Sequence, residues 1–326
     1  MTSREKEHLF KVINNLKDEG VVIIYISHFL DEVFKIGDRA VVLRNGKTVG
    51  DCCIKDLTYD EVVKLMICSK VISQYYSHTA RKVGEKVFQV NGLRREGVLD
   101  DINFSIYSGE VVGLWGLMGS GRTEVARALV GLDSADGGYI LIRHHDKLQP
   151  VKFSDTKKWI GMITENRREE GLFLPMSVKR NMSMANLPAL ISTGIPFINS
   201  KKEIEQTNKY IQRLEIMITN IEQRVETLSG GNQQKVIVGR WLQKNPLIFI
   251  MDEPTRGLDV GAKADIRNII NELAESGVAI LVISSEIDEI MSVSDRYLIM
   301  NRGRIVAELP REASKQELME TAAGGR

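Results

Sequence analysis

The stretch that decides the fold runs from Val111 to Thr123 and reads VVGLWGLMGSGRT. Its apolar start predicts a buried strand that leads into a glycine-rich turn and then a helix. From Gly116 the turn fits the spacing G-x-x-x-x-G-K-S/T, with Arg122 in the lysine position. Such glycines let backbone N–H groups and a helix N-terminus converge on phosphate oxygens, and the Thr123 hydroxyl can ligate Mg²⁺. We predict a phosphate-binding loop, although a ligand-free turn would explain the same residues taken alone.

A second apolar strand, Leu247 to Met251, ends in two carboxylates. At such a strand end Asp252 can hold Mg²⁺ through water, and Glu253 can polarise a water that attacks a γ-phosphate. Asp252 follows Arg122 by 130 residues, 252 minus 122, in the order that a nucleotide hydrolase uses. The spacing favours hydrolysis chemistry over a strand that merely has an acidic exit.

A third element, LSGGNQQK from Leu228 to Lys235, stands just ahead of a predicted helix. Ser229 is placed to act as its N-cap, and Gly230 and Gly231 let the backbone approach an anion at the positive helix end. An ordinary capped helix start is the alternative interpretation.

The apolar strands alternate with helical segments, which predicts an α/β fold with a parallel sheet covered on both faces. Ligand chemistry then belongs at the carboxyl ends of the strands. Further predicted strands of this unit are Val87 to Val90, Ile102 to Ile106 and Ala279 to Ile283, and further helices are 232–244 and 261–275.

A long internal repeat sets the domain organisation. The segment GVVIIYISHFLDE at 20–32 reappears as GVAILVISSEIDE at 277–289, with an offset of 257 residues, 285 minus 28. The gapless register indicates duplicated structural units. We predict a partial copy at 1–75, a linker at 76–86 and a complete unit at 87–326. For the partial copy we expect a helix at 4–18, a buried strand at 21–26, a helix at 29–36 and a hairpin turned by Asn45-Gly46.

The composition excludes several other classes of protein. With 43% hydrophobic and 27% charged residues, the chain is not of a disordered type. A net charge of +1 gives no global case for a nucleic-acid partner. The apolar runs are of strand length, too short to span a membrane, and MTSREKEHLF lacks the apolar core of a signal peptide. Three cysteines without CxxC spacing predict reduced thiols.

Together the three elements resemble the ATP-binding-cassette (ABC) ATPases, in which LSGGQ-type loops are the signature. More narrowly, LSGGNQQK, RWL, MDEPTRGLDVGAK and ISSE look like the second cassette of carbohydrate-importer ATPases of the ribose, galactose and xylose type, which fuse two cassettes. The resemblance covers essentially the whole sequence, with most of the first cassette lacking. It implies a P-loop nucleoside triphosphatase fold of ABC type, with a mixed sheet covered by helices and with antiparallel β and helical subdomains.

The resemblance also implies a role for individual residues, with ATP and Mg²⁺ as cofactors. Thr123 and Asp252 would hold the metal, and Glu253 and His28 would be catalytic. The implied nucleotide-binding residues are Gly116, Leu117, Met118, Gly119, Ser120, Gly121, Arg122, Thr123, Glu124, Glu165, Ser229, Gly230, Gly231, Asn232, Gln233, Asp259 and Ser285.

The sequence also departs from the family pattern. Arg122 replaces the usual Lys, Glu165 stands where Gln is usual, and Ser285 occupies the position that His28 holds in the first copy. No aromatic residue stands between Asn91 and Asp100, where the family stacks adenine. We therefore expect reduced turnover at this site.

The leading functional hypothesis is an ATP-hydrolysing subunit that powers sugar import through a membrane permease. Its implied partners are permease subunits, through them a periplasmic or extracellular sugar-binding protein, and a cassette dimer partner, with no nucleic acid. Its implied location is peripheral, at the cytoplasmic face of the cell membrane. The alternatives are a truncated, largely inactive remnant and a soluble non-transport ABC ATPase.

Overall fold

The computed structural model describes residues 3–27, 30–44, 47–58, 61–62, 65, 81–191 and 197–324. The chain divides into two compact units. The amino-terminal unit comprises Met1–Tyr76 with Asp259–Ala264, and the main unit comprises Ser77–Leu258 with Asp265–Arg326. The predicted boundaries at 75 and 86 stay predictions; the first described strand after them begins at Lys86.

The main unit is built around a mixed six-stranded sheet in the order β12-β11-β5-β10-β9-β8. Its strands are β5 (Val111–Gly116), β8 (Ile160–Ile163), β9 (Ile248–Asp252), β10 (Ala279–Ile283), β11 (Arg296–Asn301) and β12 (Arg304–Pro310). All pairs are parallel except β11 with β12. Every residue of β5, β9 and β10 is buried, as expected for parallel strands covered on both faces. The predicted α/β fold with a mixed sheet is confirmed.

A four-stranded antiparallel sheet, β4-β3-β6-β7, packs on the same core. Its strands are β3 (Lys86–Arg95), β4 (Leu99–Tyr107), β6 (Gly137–His144) and β7 (Lys147–Val151). Helix α3 (Arg122–Leu129) contributes Val125 and Leu129, both fully buried, to the core that the two sheets share. The glycine-rich turn at the start of α3 is therefore anchored by packing on both sides.

A helical segment follows β8 and forms the third part of the main unit. Its helices are α4 (Val178–Ser183), α5 (Leu187–Leu190), α6 (Ser200–Arg213) and α7 (Gly230–Leu242). Arg240 of α7 is buried and donates to the backbone oxygens of Asn181 and Gly171, at 2.7 and 2.6 Å. Burial lowers the pKa of this guanidinium to about 10. The other helices in the described part of the chain are α1 (Ser3–Asp18), α2 (Leu30–Ile36), α8 (Val260–Glu275), α9 (Ile287–Val293) and α10 (Lys315–Gly324).

The internal repeat is visible in the element boundaries. The amino-terminal unit holds α1, α2 and a hairpin of β1 (Arg39–Arg44) and β2 (Lys47–Cys53). Their counterparts α8, α9, β11 and β12 are shifted by 257 residues at both ends, for example 287 minus 30 for the start of α9. Both hairpins carry a register shift at the same repeat position, Val42/Leu43 in one and Ile299/Met300 in the other. The repeat therefore extends to backbone detail. The predicted Asn45-Gly46 turn lies outside the described residues.

The predicted buried strand at 21–26 is wrong. Residues 21–27 have no regular secondary structure, and Val22, Ile24 and Ile26 are 92, 87 and 92% exposed. The counterpart strand β10 is held between β5 and β9. A strand is stabilised by ladder hydrogen bonds to its neighbours, and among the described residues of the amino-terminal unit none pairs with this segment.

In the described residues no helix is both long enough and apolar enough to cross a membrane.

The turn between β11 and β12 gives the first test of the fold. Gly303 has φ +75°, and a Cβ there would lie 2.1 Å from the Val98 carbonyl oxygen. We expect Gly303→Ala to lower the free energy of unfolding by about 3 kcal/mol, since left-handed strain and steric overlap add. Gly257→Ala is the matched control, because Gly257 has φ +67° and no heavy atom within 4 Å of a Cβ. The control should cost about 1 kcal/mol in urea unfolding; equal losses would show that the close approach at Gly303 is unimportant.

Candidate functional site

Four parallel strands end at one edge of the six-stranded sheet. The order β5-β10-β9-β8 makes their carboxyl ends neighbours, and in open α/β sheets this edge is where ligands bind. Gly116 ends β5, Asp252 ends β9, Ser284 follows β10, and Glu165 stands two residues beyond β8. The structure thus brings together the glycine-rich loop, the acidic pair, Ser285 and Glu165. In the sequence these residues extend over 170 positions, from Gly116 to Ser285 inclusive.

The glycine-rich loop curls tightly before α3. Gly119 and Gly121 have φ of +74° and +100°, a conformation that favours glycine. Ser120 donates to the Leu117 carbonyl at 3.1 Å, and its own carbonyl accepts from Gly303 at 2.9 Å. Leu117 and Met118 are 50 and 95% exposed. The loop is therefore fixed at its base and open at its tip.

Asp252 is the most unusual side chain of the site. It is completely buried, and neither carboxylate oxygen has a hydrogen-bond partner. Desolvation raises its pKa to about 7, assisted by the neighbouring Glu253 charge, while Thr123 and Arg122 oppose the rise. The Thr123 hydroxyl is near enough to Asp252 to lower this pKa, although the two groups do not meet the geometry of a hydrogen bond. A buried carboxylate beside a hydroxyl is the kind of oxygen ligand set that Mg²⁺ takes, so these residues fit the metal.

Arg122 opens α3 next to these carboxylates. Burial lowers the pKa of its guanidinium, while Glu253, Asp252 and Glu124 act in the opposite direction. One terminal nitrogen, Nη1, is buried without a hydrogen-bond partner. A desolvated cation with an unpaired donor at a helix N-terminus is suited to an anionic ligand.

Glu253 is held by the loop that follows β10. Its backbone is left-handed, with φ +49°, and its N–H donates to the Ile283 carbonyl at 2.8 Å. The Ser285 N–H donates to Glu253 Oε1 at 2.6 Å, so the carboxylate has a fixed partner. Ser285 therefore contacts the predicted base through its backbone.

Ser284 and Glu289 lie behind Glu253 and are two further candidate functional residues that the sequence did not predict. Ser284 Oγ donates to Oε2 of the buried Glu289 and accepts from the Glu286 N–H at 3.0 Å. Desolvation raises the pKa of Glu289. The repeat offered a signal, because Ser27 Oγ donates to Glu32 Oε2 at 2.8 Å in the corresponding place. The Ser–Glu contact therefore recurs at the same repeat position in both copies.

Glu165 forms an ion pair with Arg256, four residues beyond Asp252. Both side chains are exposed, and Arg167 Nη1 donates to the Arg256 carbonyl at 2.9 Å. These contacts join the loop after β8 to the loop after β9. An exposed ion pair of this kind contributes at most about 1 kcal/mol to the free energy of unfolding. Its main effect is therefore on the positions of the two loops.

The LSGGNQQ segment occupies a different place. Ser229 is the N-cap of α7, with Oγ accepting from Asn232 Nδ2 at 3.0 Å. Gln233 is buried and donates to the Val225 carbonyl, and a Cβ on Gly230 would lie 2.7 Å from Arg167 Nη2. Gly231 is buried in the first turn. Among the described residues, none of residues 229–233 forms a hydrogen bond or an ion pair with the glycine-rich loop.

Two predicted residues remain. Asp259, in the amino-terminal unit, accepts from the Ala262 N–H at 2.9 Å and so caps the start of α8. His28 lies outside the described residues.

A cavity of about 460 Å³ lies beside residues that approach the glycine-rich loop, although no residue of the loop itself lines it. Leu99, which lines it, also approaches Gly121, and Arg302 adjoins the Gly303 that bonds the loop. Its lining carries three arginines and no aromatic side chain.

Comparison with known proteins agrees with this geometry. The ABC transporter family model matches residues 99–256. The fold resembles a nucleotide-free ATP-binding cassette from an ABC transporter, with a TM-score of 0.60 and 22% identity over 72% of this chain and 93% of that one. A dimeric cassette in a post-hydrolysis state, bound to ADP and phosphate, gives 0.58 and 20% over 70 and 100%.

The main unit contains a domain of the ABC transporter ATP-binding cassette family. Within it, the Ribose import ATP-binding protein RbsA of Bacillus subtilis is 44% identical over 327 residues, covering 100% of this chain and 66% of that protein. A Putative ribose/galactose/methyl galactoside import ATP-binding protein of Halalkalibacterium halodurans is 42% identical, covering 99 and 62%. The chain thus spans less than two thirds of the length of either of these relatives.

Proposed function

We propose that this chain binds MgATP at the glycine-rich loop and hydrolyses it as the energy-coupling subunit of a sugar importer. The observation that carries the proposal is the buried, unpartnered carboxylate of Asp252 beside Thr123 and the desolvated Arg122. A buried carboxylate without a partner and a buried guanidinium nitrogen without a partner are both costly, and a metal–phosphate ligand would satisfy both.

Each residue then has a role set by its position. Thr123 and Asp252 would hold Mg²⁺, which neutralises charge on the transferred phosphoryl group when bound. Glu253 would accept a proton from the attacking water, and the Ser285 N–H keeps its carboxylate in place. The amides of residues 119–122 would bind phosphate oxygens at the start of α3.

We further propose that turnover at this site is reduced. Arg122 presents a planar fork where a flexible point charge would follow the phosphate. Ser285 cannot act as the imidazole expected at that place, and Glu165 is engaged by Arg256. The cavity by the loop has no aromatic ring on which a base could stack.

The two relatives described above are import ATP-binding proteins for ribose or related sugars, which supports a role in sugar import. The proposed partners are membrane permease subunits and, through them, an external sugar-binding protein. A second cassette would approach the exposed Ser229 at the N-terminus of α7. The proposed location is peripheral, at the cytoplasmic face of the membrane.

An inactive remnant is the second candidate, favoured by the exposed apolar residues of the segment 21–26. A non-transport ABC ATPase is the third, and a net charge of +1 gives no global electrostatic case for a nucleic-acid partner. Purified chain should bind MgATP and release phosphate slowly, and it should co-purify with a sugar permease in detergent. Rates typical of intact cassettes would contradict the reduced turnover; absence of nucleotide binding would favour the remnant.

Arg122→Lys tests the cause of the reduced turnover. We expect it to raise the rate of phosphate release by about tenfold, because a flexible ammonium can follow the charge that develops on the γ-phosphate. Arg127→Lys is the matched control in the same helix, where Arg127 pairs with Asp133 and Glu170. The control should leave the rate unchanged. A rate for Arg122→Lys at or below wild type would remove Arg122 as the cause.

A further inference from the structure

Both oxygens of the Glu253 carboxylate face the loop that follows β10. Oε1 accepts from the Ser285 N–H at 2.6 Å, and Oε2 lies within hydrogen-bond reach of the Ser284 hydroxyl, at 3.5 Å. A backbone N–H has a fixed direction, whereas a hydroxyl hydrogen rotates toward its acceptor. The direction of the Ser284 hydrogen therefore decides whether the second oxygen of Glu253 has a partner.

The Ser284 hydroxyl stands between two carboxyl groups. Its Oγ also contacts Oε2 of Glu289, and it accepts from the Glu286 N–H at 3.0 Å. A serine hydroxyl carries one hydrogen, so it donates to only one carboxyl group at a time. An ionised Glu289 would accept that hydrogen. A protonated Glu289 instead donates its own hydrogen to Ser284 Oγ, which leaves the serine hydrogen for Glu253.

The surroundings of Glu289 favour its protonated form. The residue is 1% exposed, and its Oε1 is buried with no hydrogen-bond partner among the described residues. An ionised carboxylate costs more to bury in such a place than a neutral acid does. Burial raises the pKa of Glu289, and the charge of Glu286 acts in the same direction. The groups that oppose the rise are Ser284, Thr255 and Arg267, and desolvation outweighs them.

The repeat supplies a comparison, because Glu32 is the counterpart of Glu289, 289 minus 32 being 257. Glu32 Oε2 accepts from Tyr25 Oη and from Ser27 Oγ, both at 2.8 Å. Val282 stands in the place of Tyr25 and has no hydroxyl, so this phenolic donor is absent at Glu289. Hydrogen-bond donors stabilise the charged form of a carboxyl group. The second copy thus gives its glutamate less support as an anion.

We propose that Ser284 is a positioning residue for the general base Glu253, with Glu289 as a neutral acid behind it. The Glu289 O–H donates to Ser284 Oγ, and the Ser284 O–H donates to Glu253 Oε2. Each hydrogen then has one acceptor, and with both oxygens held the Glu253 carboxylate keeps one orientation toward the attacking water. No proton is transferred along this chain of hydrogen bonds. This role rests on the proposed function, because it concerns the same hydrolysis site.

The first test compares phosphate release by the full chain at saturating MgATP with equilibrium binding of MgATP. Ser284→Ala should lower kcat by about tenfold, the effect of one hydrogen bond lost from a charged group. Its affinity for MgATP should stay within about threefold of wild type, because the variant leaves the glycine-rich loop and Asp252 unchanged. A serine that only stabilised the fold would not lower kcat alone.

Glu289→Gln separates a neutral acid from a carboxylate at this position. Glutamine carries no charge, and its amide N–H can donate to Ser284 Oγ as the protonated carboxyl does. The value of kcat should therefore stay within about twofold of wild type. Ser292→Ala is the matched control, because it removes a hydroxyl of the same helix that donates to the backbone carbonyl of Glu289 at 2.7 Å. The control should leave kcat unchanged.

A second measurement reads the protonation state of Glu289 without ATP hydrolysis. The infrared difference spectrum between wild type and Glu289→Gln at neutral pH should contain the C=O stretch of a protonated carboxylic acid. Carboxylate stretches in its place would show that Glu289 is ionised. That result would overturn the proposal even in a chain that hydrolyses ATP.

The outcomes separate this role from the proposed function. Hydrolysis that depends on Glu253 but is unchanged in Ser284→Ala would overturn the role of Ser284 alone. A kcat for Glu289→Gln as low as that of Ser284→Ala would show that the Glu289 charge is needed, which contradicts a neutral acid. Hydrolysis that does not depend on Glu253, or no hydrolysis by the wild type, would overturn the proposed function, and this role would fail with it.

Discussion

Glu253→Gln is expected to lower the rate of ATP hydrolysis by about 10²–10⁴-fold, the range for loss of a general base. The substitution keeps an oxygen that can accept from the Ser285 N–H, so the loop after β10 retains its anchor. Affinity for MgATP should stay within about threefold of wild type, because the phosphate-binding amides and Asp252 are untouched. Phosphate release under saturating MgATP measures the first quantity, and equilibrium binding measures the second.

The control for this variant is Glu312→Gln, which removes one exposed carboxylate from the main unit away from the sheet edge. Its hydrolysis rate should match wild type. If Glu253→Gln also hydrolyses ATP at the wild-type rate, Glu253 is not the base. If it loses affinity and rate in equal proportion, the carboxylate binds nucleotide and does not act on water.

Asp252→Asn is expected to stabilise the free protein at alkaline pH while abolishing Mg²⁺-dependent nucleotide binding. The folded-state pKa of Asp252 is raised to about 7 by burial, from its ordinary value of 3.8. Between these values the folded chain holds a proton that the unfolded chain has released, so stability falls as pH rises through this window. Above pH 7 the full penalty applies, and it is absent below pH 4.

Asparagine carries no charge at any of these pH values. The variant should therefore gain about 4 kcal/mol over wild type in free energy of unfolding at pH 8, and less than about 1 kcal/mol at pH 4. Urea unfolding at several pH values, without nucleotide or Mg²⁺, measures this difference. Asp146→Asn, which removes an exposed charge, is the control. A gain that does not depend on pH would show that the Asp252 charge is not what burial penalises.

The repeat made much of the fold predictable. The offset of 257 residues fixed by GVVIIYISHFLDE and GVAILVISSEIDE extends to the ends of α1, α2, β1 and β2. The segment 21–26 is the exception. Its apolar pattern is typical of a strand, but among the described residues of its unit no neighbouring strand pairs with it. Strand propensity reflects packing against flanking strands, which a local pattern does not contain.

The candidate site was predictable to the extent that motif order reports topology. A strand that ends in glycines and another that ends in Asp252 must meet at one edge of a parallel sheet. The pairing of Glu165 with Arg256 and the Ser284–Glu289 contact depend on side-chain directions in loops. Of these two contacts, only Ser284–Glu289 is indicated by the sequence, because Ser27 and Glu32 stand at the corresponding positions of the repeat.

The glycine-rich loop and Asp252 are proposed to form one site for MgATP. Isothermal titration calorimetry of the full chain with ATP, with and without Mg²⁺, tests this site. We expect saturable binding of one ATP per chain that requires Mg²⁺ and is lost in Asp252→Asn. Binding that persists in EDTA and in Asp252→Asn, or no binding at all, would contradict it.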